Sequence, residues 1–354
     1  MDFSLNADQE ALRDLSRQIL ADRCTPEHLK AVAATDTAVD LDLWRTMAAA
    51  GLAGIGLPAA AGGGGRGFLD VCIVLEEVAR AAAPVPALAV MGLAGPALAH
   101  FGGPSHLDGV AAGERIVTAA LHEPAGDVRV PSTRVRGGRL TGVKVCVPAG
   151  PLASTFVVSA ADGLYVVAAD APGVAVERQD TTSGVPEARV TFDGAAADGL
   201  AGPDAIEWLL DRATAAQCVM MAGLCDAAVR LTADYAKERV QFERPIATFQ
   251  AVGQRVADAR IDAEGVRLTA WQAAWRLDAE LPAAEQVAAA KYWAAEGGQR
   301  VVHAAQHVHG GVGVDRDYPL HRYFLAAKQL ELDLGGAAVS LVRLGRMLAE
   351  TPVH

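Results

Sequence analysis

A basic residue and a glycine-rich turn are the two features of this chain that could bind a phosphate group. Arg239 opens the segment RVQFERPIATFQ, and HVHGGVGVDRDYP follows at 307–319. A guanidinium group matches phosphate oxygens with a rigid fork of donors. Glycines let a backbone approach an anion closely, with N–H groups facing it. Each segment also has a simpler interpretation, as a helix end stopped by Pro245 and as an ordinary turn.

Histidine and cysteine spacings do not favour a metal site. His303 and His307 stand four residues apart, as in some chelating helices, but no third ligand is evident. The five cysteines include no CxxC pair, so the sequence predicts no bound metal. We interpret them as buried free thiols that pack as small hydrophobes. They are Cys24, Cys72, Cys146, Cys218 and Cys225.

Composition limits the classes of partner. The chain has 354 residues, 51% of them hydrophobic, which permits a large core. Its net charge of −11 argues against binding to nucleic acid or to anionic membranes. No apolar run is long enough to span a membrane, and the N-terminus carries acids where a signal peptide carries bases. These features predict a cytoplasmic protein.

Hydrophobic patterning predicts three domains. Helical spacing dominates residues 1–115, where Asn6 and Gln9 form a capping-box pattern at the start of the first helix. Short β-branched runs bounded by Gly, Pro or Asp predict a small antiparallel β domain at 116–203. Residues 204–354 return to helical spacing and predict a four-helix bundle. Its predicted helices are Asp204–Arg239, Val252–Leu281, Ala283–His309 and Tyr318–Leu348.

This order of elements, together with several short motifs, resembles the acyl-CoA dehydrogenase family, flavoenzymes that desaturate acyl thioesters. MDFSLNADQEALRDL, LWRTMAAAGLAGIGLP with the following GGGG, and VLEEVAR are similar to the family's N-terminal landmarks. The 239–250 and 307–319 segments resemble its two C-terminal signatures. No single motif is specific to the family, but the order and spacing of all of them together are specific. The resemblance covers nearly the whole chain.

The resemblance implies FAD as cofactor, lying between two subunits. One subunit holds the flavin ring, and its neighbour holds the adenosine-diphosphate end. The matching residues of this chain belong to the second role: Arg239 at the diphosphate, Phe242 near the adenine, and Gln250, His307, Gly310 and Gly311 around the same end. The family commonly has Gln where this chain has His307. His309 is predicted to have a structural role.

The flavin-ring side departs from the family pattern. Glu123 and Pro124 are retained in LHEPAGDVR, but the serine-bearing turn of the family is shortened there. The family tryptophan that covers the flavin is matched by Cys146, and the threonine that hydrogen-bonds near its reactive nitrogen is matched by Pro148. Proline has no hydroxyl and no backbone N–H. The β domain is therefore predicted to hold the flavin poorly.

The catalytic base is also missing at its expected positions. Desaturation needs a carboxylate that removes the α proton. The two family positions for it carry Ala213 and Leu334, and the CoA-contacting arginine is matched by Thr214. Asp211 matches a family residue near the pantetheine arm of the substrate. Helical geometry places Asp211 about 200° round from Ala213, so it faces away.

Other carboxylates are poor substitutes for the base. Glu207 lies six residues before Ala213 and about 9 Å along the helix. Asp333 points elsewhere. Glu331 is the best remaining candidate, within about 60° of the face of Leu334 if that stretch is helical, with a salt-bridged surface role as its alternative. The catalytic residue is thus unknown from sequence.

Three functional hypotheses remain open. The first is an acyl-CoA dehydrogenase subunit that lacks its own base and completes a partner's FAD site, as in the heterotetrameric α2β2 sterol side-chain enzymes that the short chain and PVPAL resemble. The second is a self-sufficient, homo-oligomeric dehydrogenase with a relocated carboxylate. The third is a non-redox acyl-binding or interaction protein on the same fold. The sequence does not identify the acyl group, nor separate a CoA thioester from a carrier-protein thioester.

Overall fold

The computed structural model describes residues 3–350. The outermost residues of the predicted first and third domains, 1–2 and 351–354, lie outside this range. In the described part, helices come first, strands occupy the middle and long helices follow. The α-helices are α1 Ala7–Arg23, α2 Pro26–Ala33, α3 Leu41–Ala49, α4 Phe68–Arg80, α5 Gly95–Phe101, α6 Asp204–Glu238, α7 Gln250–Asp278, α8 Ala284–His309, α9 Leu320–Leu332 and α10 Ala337–Glu350. A π-helical segment, Leu88–Ala94, leads into α5.

The strands form two four-stranded sheets and one short hairpin. They are β1 Val117–Ala120, β2 Arg134–Arg136, β3 Arg139–Pro148, β4 Thr155–Ala160, β5 Gly163–Ala168, β6 Val174–Gln179, β7 Glu187–Ala196, β8 Asp198–Ala201, β9 Val240–Gln241 and β10 Arg244–Pro245. The sheet orders are β1-β4-β5-β8 and β2-β3-β7-β6. All of these pairs are antiparallel except β1 with β4, which is parallel.

The predicted fold class is confirmed: a mainly helical chain with a small, predominantly antiparallel β region between N-terminal and C-terminal helices. The inward residues of the strands pack into one apolar cluster. Within it the rings of Phe156 and Phe192 meet edge to face, with centroids 6.2 Å apart. Burial of this cluster supplies the main free energy that holds the strands together.

The start of α1 follows the predicted capping box. The Asn6 side chain accepts a hydrogen bond from the backbone N–H of Gln9, and the Gln9 side chain accepts one from the N–H of Asn6. Two backbone donors that the first turn leaves without partners are thereby satisfied.

The long helix α6 contains one glycine, Gly223, for a steric reason. A Cβ built at this position would lie 2.2 Å from the backbone carbonyl oxygen of Glu76. Any larger residue would force the α4 segment away from α6. The glycine therefore marks a close helix approach and does not interrupt the helix, which extends over about 50 Å as predicted.

The prediction of one helix over Tyr318–Leu348 is wrong. Helix α9 ends at Leu332, and α10 begins only at Ala337. Leu334 and Gly335 both have left-handed backbone conformations, with φ of 53° and 103°. A glycine pair at 335–336 makes this turn accessible, whereas apolar spacing alone continues through it.

Two compact units emerge from the contacts along the chain. The first combines residues up to Ala31 with Glu76–Ala83 and the residues from Thr214 onward. The second combines Val32–Leu75 with Pro84–Ala213. The boundaries predicted from sequence at 115 and 203 remain predictions. No helix in the described range is both long and apolar enough to cross a membrane.

Candidate active site

A stacked aromatic pair joins the C-terminal ends of α6 and α8. The ring of Tyr235 lies 4.3 Å from the buried ring of His309, at an interplanar angle of 23°. His309 also contacts the Ala305 carbonyl oxygen through Nδ1 at 2.8 Å and the Tyr318 hydroxyl through Nε2 at 3.0 Å. Burial lowers the pKa of His309. These contacts agree with the structural role predicted for this histidine.

This pair brings the two predicted cofactor segments to one end of the bundle. The Arg239 N–H donates to the Tyr235 carbonyl oxygen at 2.8 Å, so Arg239 lies one turn beyond the stack. Gly310 directly follows His309 at the end of α8. Sequence reasoning missed Tyr235, although its position four residues before Arg239 places it on the same helix face.

The residues after Arg239 form a tight hairpin. Strands β9 and β10 pair across a turn in which Phe242 and Glu243 both have positive φ angles, of 50° and 64°. Phe242 stands at the tip with 87% of its surface exposed. The Arg244 guanidinium lies 4.2 Å from the ring centre of Phe249, which fixes the base of the loop. The exposed ring is accessible for the adenine contact that the family resemblance implies.

The glycine turn presents open backbone. Gly310 has φ 59° and ψ −134°, a region that side chains exclude, and nothing lies within 4 Å of a Cβ built on Gly310 or Gly311. Arg239, Gln250 and His307 are exposed at the surface. A guanidinium, polar side chains and an open glycine backbone are the donor set that suits a diphosphate. These residues therefore fit the adenosine-diphosphate end of FAD.

The β region offers few donors at the positions where the resemblance expects flavin contacts. The N–H of Cys146 donates to Gln179 Oε1 at 2.9 Å, inside a bulge where Cys146 has φ of 51°. Pro148 has no N–H, and its carbonyl oxygen accepts from the Thr118 hydroxyl at 2.6 Å. The interpretation of all five cysteines as buried is wrong for Cys146, because the bulge turns it to the surface, and Cys24 is half-buried.

Glu123 has a structural environment. Its carboxylate pairs with the buried Lys144 ammonium at 2.9 Å and accepts hydrogen bonds from the hydroxyl and backbone N–H groups of Ser132 and Thr133. Burial alone would raise the pKa of Glu123, but hydrogen bonds from Ser132, Lys144 and Thr133 outweigh it and lower the pKa to about 2. Lys144 also donates to Ser159 Oγ at 3.0 Å. Both charged groups therefore already have interaction partners within the β region.

Both positions predicted for the base are apolar and buried. Ala213 is fully buried and Leu334 is 7% exposed. The adjacent Thr214 is buried as well, and Asp211 is half-buried. A carboxylate at either base position would enter an environment that disfavours its charge.

Glu331 is held in an ion pair. Its carboxylate lies 2.6 Å from the Lys328 ammonium, one turn earlier on α9. The estimate that Glu331 lies within 60° of Leu334 assumed a continuous helix, and this assumption is wrong because α9 ends at Leu332. Glu207, an acidic candidate on α6, pairs with Arg129 at 3.1 Å. Each carboxylate already has a cationic partner.

Side chains of two neighbouring helices donate hydrogen bonds to the turn that carries Leu334. The buried Lys291 of α8 donates to the Leu330 carbonyl oxygen at 2.6 Å, and Gln217 of α6 donates to the Asp333 carboxylate. Burial lowers the pKa of Lys291. An ammonium at the C-terminal end of α9 complements that helix dipole. Lys291 was missed in the sequence because a lysine amid alanines has no motif of its own.

Comparison with known proteins assigns the class. The acyl-CoA dehydrogenase C-terminal domain model matches residues 201–348, and the N-terminal domain model matches residues 6–107. The chain belongs to the acyl-CoA dehydrogenase family. It is an oxidoreductase of this type, and its cofactor is FAD.

Three relatives are similar over almost their whole length. Acyl-CoA dehydrogenase FadE27 of Mycobacterium tuberculosis is 41% identical, with 99% of this chain and 100% of the relative covered. A chain of the ChsE4-ChsE5 complex from Mycobacterium tuberculosis is 41% identical with a TM-score of 0.94, covering 100% of both chains. A chain of the Tcur3481-Tcur3483 steroid ACAD, in a variant form, is 43% identical with a TM-score of 0.93, covering 97% of this chain and 98% of that one.

Proposed function

We propose that this chain is a subunit of a heteromeric acyl-CoA dehydrogenase, without a catalytic base of its own, that completes the FAD site of a homologous partner. The observation that carries the proposal is the contrast between two regions. The base positions Ala213 and Leu334 are apolar and buried. The residues suited to the adenosine-diphosphate end, among them Arg239 and Gly310, are instead exposed at one end of the bundle, beside the stacked rings of Tyr235 and His309.

The chain's own residues would hold the cofactor and leave proton transfer to the partner. Arg239 and the Gly310–Gly311 backbone would bind the diphosphate, Phe242 would contact the adenine, and Gln250 and His307 would contact the same end. FAD held there would supply the acceptor for the hydride that leaves the β carbon of the acyl group. The α proton goes to a carboxylate of the partner subunit, since Glu331 and Glu207 are engaged in ion pairs.

The relatives support a heteromeric assembly. Two of the similar structures are named as complexes of two proteins, ChsE4-ChsE5 and Tcur3481-Tcur3483. By analogy we propose an α2β2 tetramer of this chain with a base-bearing homologue. The name of the second complex describes a steroid enzyme, so we also propose a bulky thioester of the steroid class as substrate. Turnover of a linear acyl-CoA equal to that of a steroid-derived one would contradict this substrate assignment.

Co-expression tests the assembly. We would produce the chain alone and together with a base-bearing homologue from the same genome, and record flavin absorbance and dehydrogenase activity of each preparation. Yellow, active protein only after co-expression is the expected result. Full activity with one FAD per chain in a homo-oligomer would contradict the proposal. Colourless protein in both preparations would favour the non-redox alternative.

A Glu331→Gln substitution tests the relocated-carboxylate alternative. In the co-expressed complex we expect kcat within about twofold of the unmodified complex, because Glu331 is held by Lys328 and the partner supplies the base. Loss of this ion pair should cost about 1 kcal/mol or less in the free energy of unfolding. Lys328→Gln serves as the matched control, since it breaks the same ion pair and keeps the carboxylate. A fall of about a hundredfold in Glu331→Gln alone would identify Glu331 as the base.

A further inference from the structure

A cavity inside the second compact unit is lined by residues to which no role has been assigned above, although Arg212 in its lining adjoins Asp211 and Ala213 in sequence. It has a volume of about 230 Å³. Its deep wall is formed by buried apolar side chains, among them Leu57, Val71 and Met91. A well-formed apolar cavity with a few polar groups is the usual architecture of a small-molecule site, although this one is smaller than most.

The ionisable side chains that line this cavity are all basic. Arg66 and His100 are exposed, and Arg212 is half-buried. Among the described residues that line the cavity, none is Asp or Glu. In a chain with a net charge of −11, such a lining is a local exception. Glu207, the acid next to the lining residue Trp208, is paired with Arg129.

One aromatic side chain orders two of these basic groups. The ring of His100 stacks on Trp208 with centroids 4.5 Å apart and an interplanar angle of 18°. The Arg212 guanidinium carbon lies 3.8 Å from the indole centre. Contacts with an aromatic face restrict the rotation of a guanidinium, so its N–H groups are preorganised for an anion.

We propose that this cavity binds an amphipathic monocarboxylate: an apolar tail lies against Leu57, Val71 and Met91, and the carboxylate lies between Arg66 and Arg212. The apolar wall gains from burial of a hydrocarbon tail, and guanidinium groups suit a carboxylate through paired hydrogen bonds. The ligand is a free acid, because the acyl end of a thioester carries no negative charge to meet the two arginines. The inference does not depend on FAD or on a partner subunit.

Calorimetric titration of the full chain with octanoate tests the site. We expect saturable binding at one site per chain, and binding of octan-1-ol weaker by about tenfold because it lacks the charge. Arg66→Gln should weaken octanoate binding by about tenfold, and Ala99→Leu, which extends a side chain into the cavity, should weaken it as well. Arg136→Gln, an exposed arginine outside the cavity, is the matched control and should bind as the unmodified chain does.

The outcomes are separable from loss of folding and from substrate binding. Arg66 is exposed, so its substitution should leave the thermal midpoint unchanged, and binding can be compared at equal stability. Equal affinity for octanoate and octan-1-ol, unchanged affinity in Arg66→Gln, or no binding would overturn the proposal. Displacement of octanoate by octanoyl-CoA would also overturn it, because the cavity would then belong to the thioester site.

Discussion

The ring of Tyr235 stacks on the ring of His309 at 4.3 Å, and this contact joins the ends of two helices from which the predicted cofactor residues extend. Neither aromatic residue needs to touch the cofactor to matter for it. Arg239 lies one helical turn after Tyr235, and Gly310 directly follows His309. The stack therefore sets the separation between the Arg239 guanidinium and the open Gly310 backbone.

His309→Ala should therefore reduce both stability and FAD retention. Loss of a stacked, hydrogen-bonded ring is expected to cost about 1–3 kcal/mol in the free energy of unfolding. The measurements are chemical denaturation and the FAD-to-protein ratio of the co-expressed complex. His303→Ala, an exposed histidine on the same helix, is the control. Unchanged FAD retention in His309→Ala would show that the stack does not position the cofactor segments.

Arg239 is predicted to bind the diphosphate directly, so its loss should affect FAD and leave folding intact. Arg239→Ala should weaken FAD binding about tenfold or more, since charge-assisted hydrogen bonds contribute about 1.5–3 kcal/mol. Arg239→Lys should recover only part of the FAD affinity, because lysine lacks the planar fork of donors. FAD titration of the apo-complex measures this. A similar loss in Lys237→Ala, an exposed neighbour paired with Asp234, would indicate a general charge effect instead.

The pair of Glu123 with Lys144 should make the chain sensitive to acid. The folded state lowers the pKa of Glu123 from 4.5 to about 2, so the unfolded state binds more protons between these values. The stabilisation is full above the unfolded pKa and is lost as the pH falls from about 4.5 towards 2. The measurement is the free energy of unfolding in urea at pH 7, 5 and 3.

The variant Glu123→Gln isolates this contribution. It should lower the free energy of unfolding by about 3–5 kcal/mol at pH 7, because it leaves the Lys144 ammonium buried without its carboxylate. The difference in unfolding free energy between the variant and the unmodified chain should become smaller between pH 5 and pH 3. Asp162→Asn, at an exposed acid of the same unit, is the control and should stay within about 0.5 kcal/mol. A pH-independent difference would contradict the low pKa.

Thiol labelling should separate the cysteines by position. Cys146 is exposed, whereas burial raises the pKa values of Cys218 and Cys225 to about 12. Because the thiolate is the reactive form, we expect Cys146 to react fastest with an aromatic disulfide reagent and the two helical thiols to react only on unfolding. Cys146→Ser should abolish the fast phase. Persistence of that phase would place the reactive thiol elsewhere.

Most of the fold could be predicted from sequence because its signals are local. The capping box at Asn6, the apolar spacing of α6 and the β-branched runs of the middle region each depend on neighbours within a few residues. The break between α9 and α10 was missed because apolar spacing continues through Leu334, while the left-handed turn depends on the glycines that follow.

The candidate site was predictable only where a motif carries it. Arg239 and Gly310 belong to recognisable segments, but the partners of Glu331 and Glu207 depend on which side chains the fold brings near them. The contact of Lys291 with the end of α9 joins residues 39 positions apart, and such pairings have no local signature. The exposure of Cys146 likewise follows from a bulge that residue type alone does not indicate.

The left-handed backbone of Leu334 has a consequence for attempts to engineer activity into this chain. A leucine in this conformation is strained by about 1–2 kcal/mol, and its nearly complete burial compensates for that strain. The side chain thus acts as an apolar anchor for the turn between α9 and α10. Leu334→Glu would remove the anchor, keep the strain and add a buried charge, so a designer must rebuild the surrounding packing before a carboxylate there becomes useful.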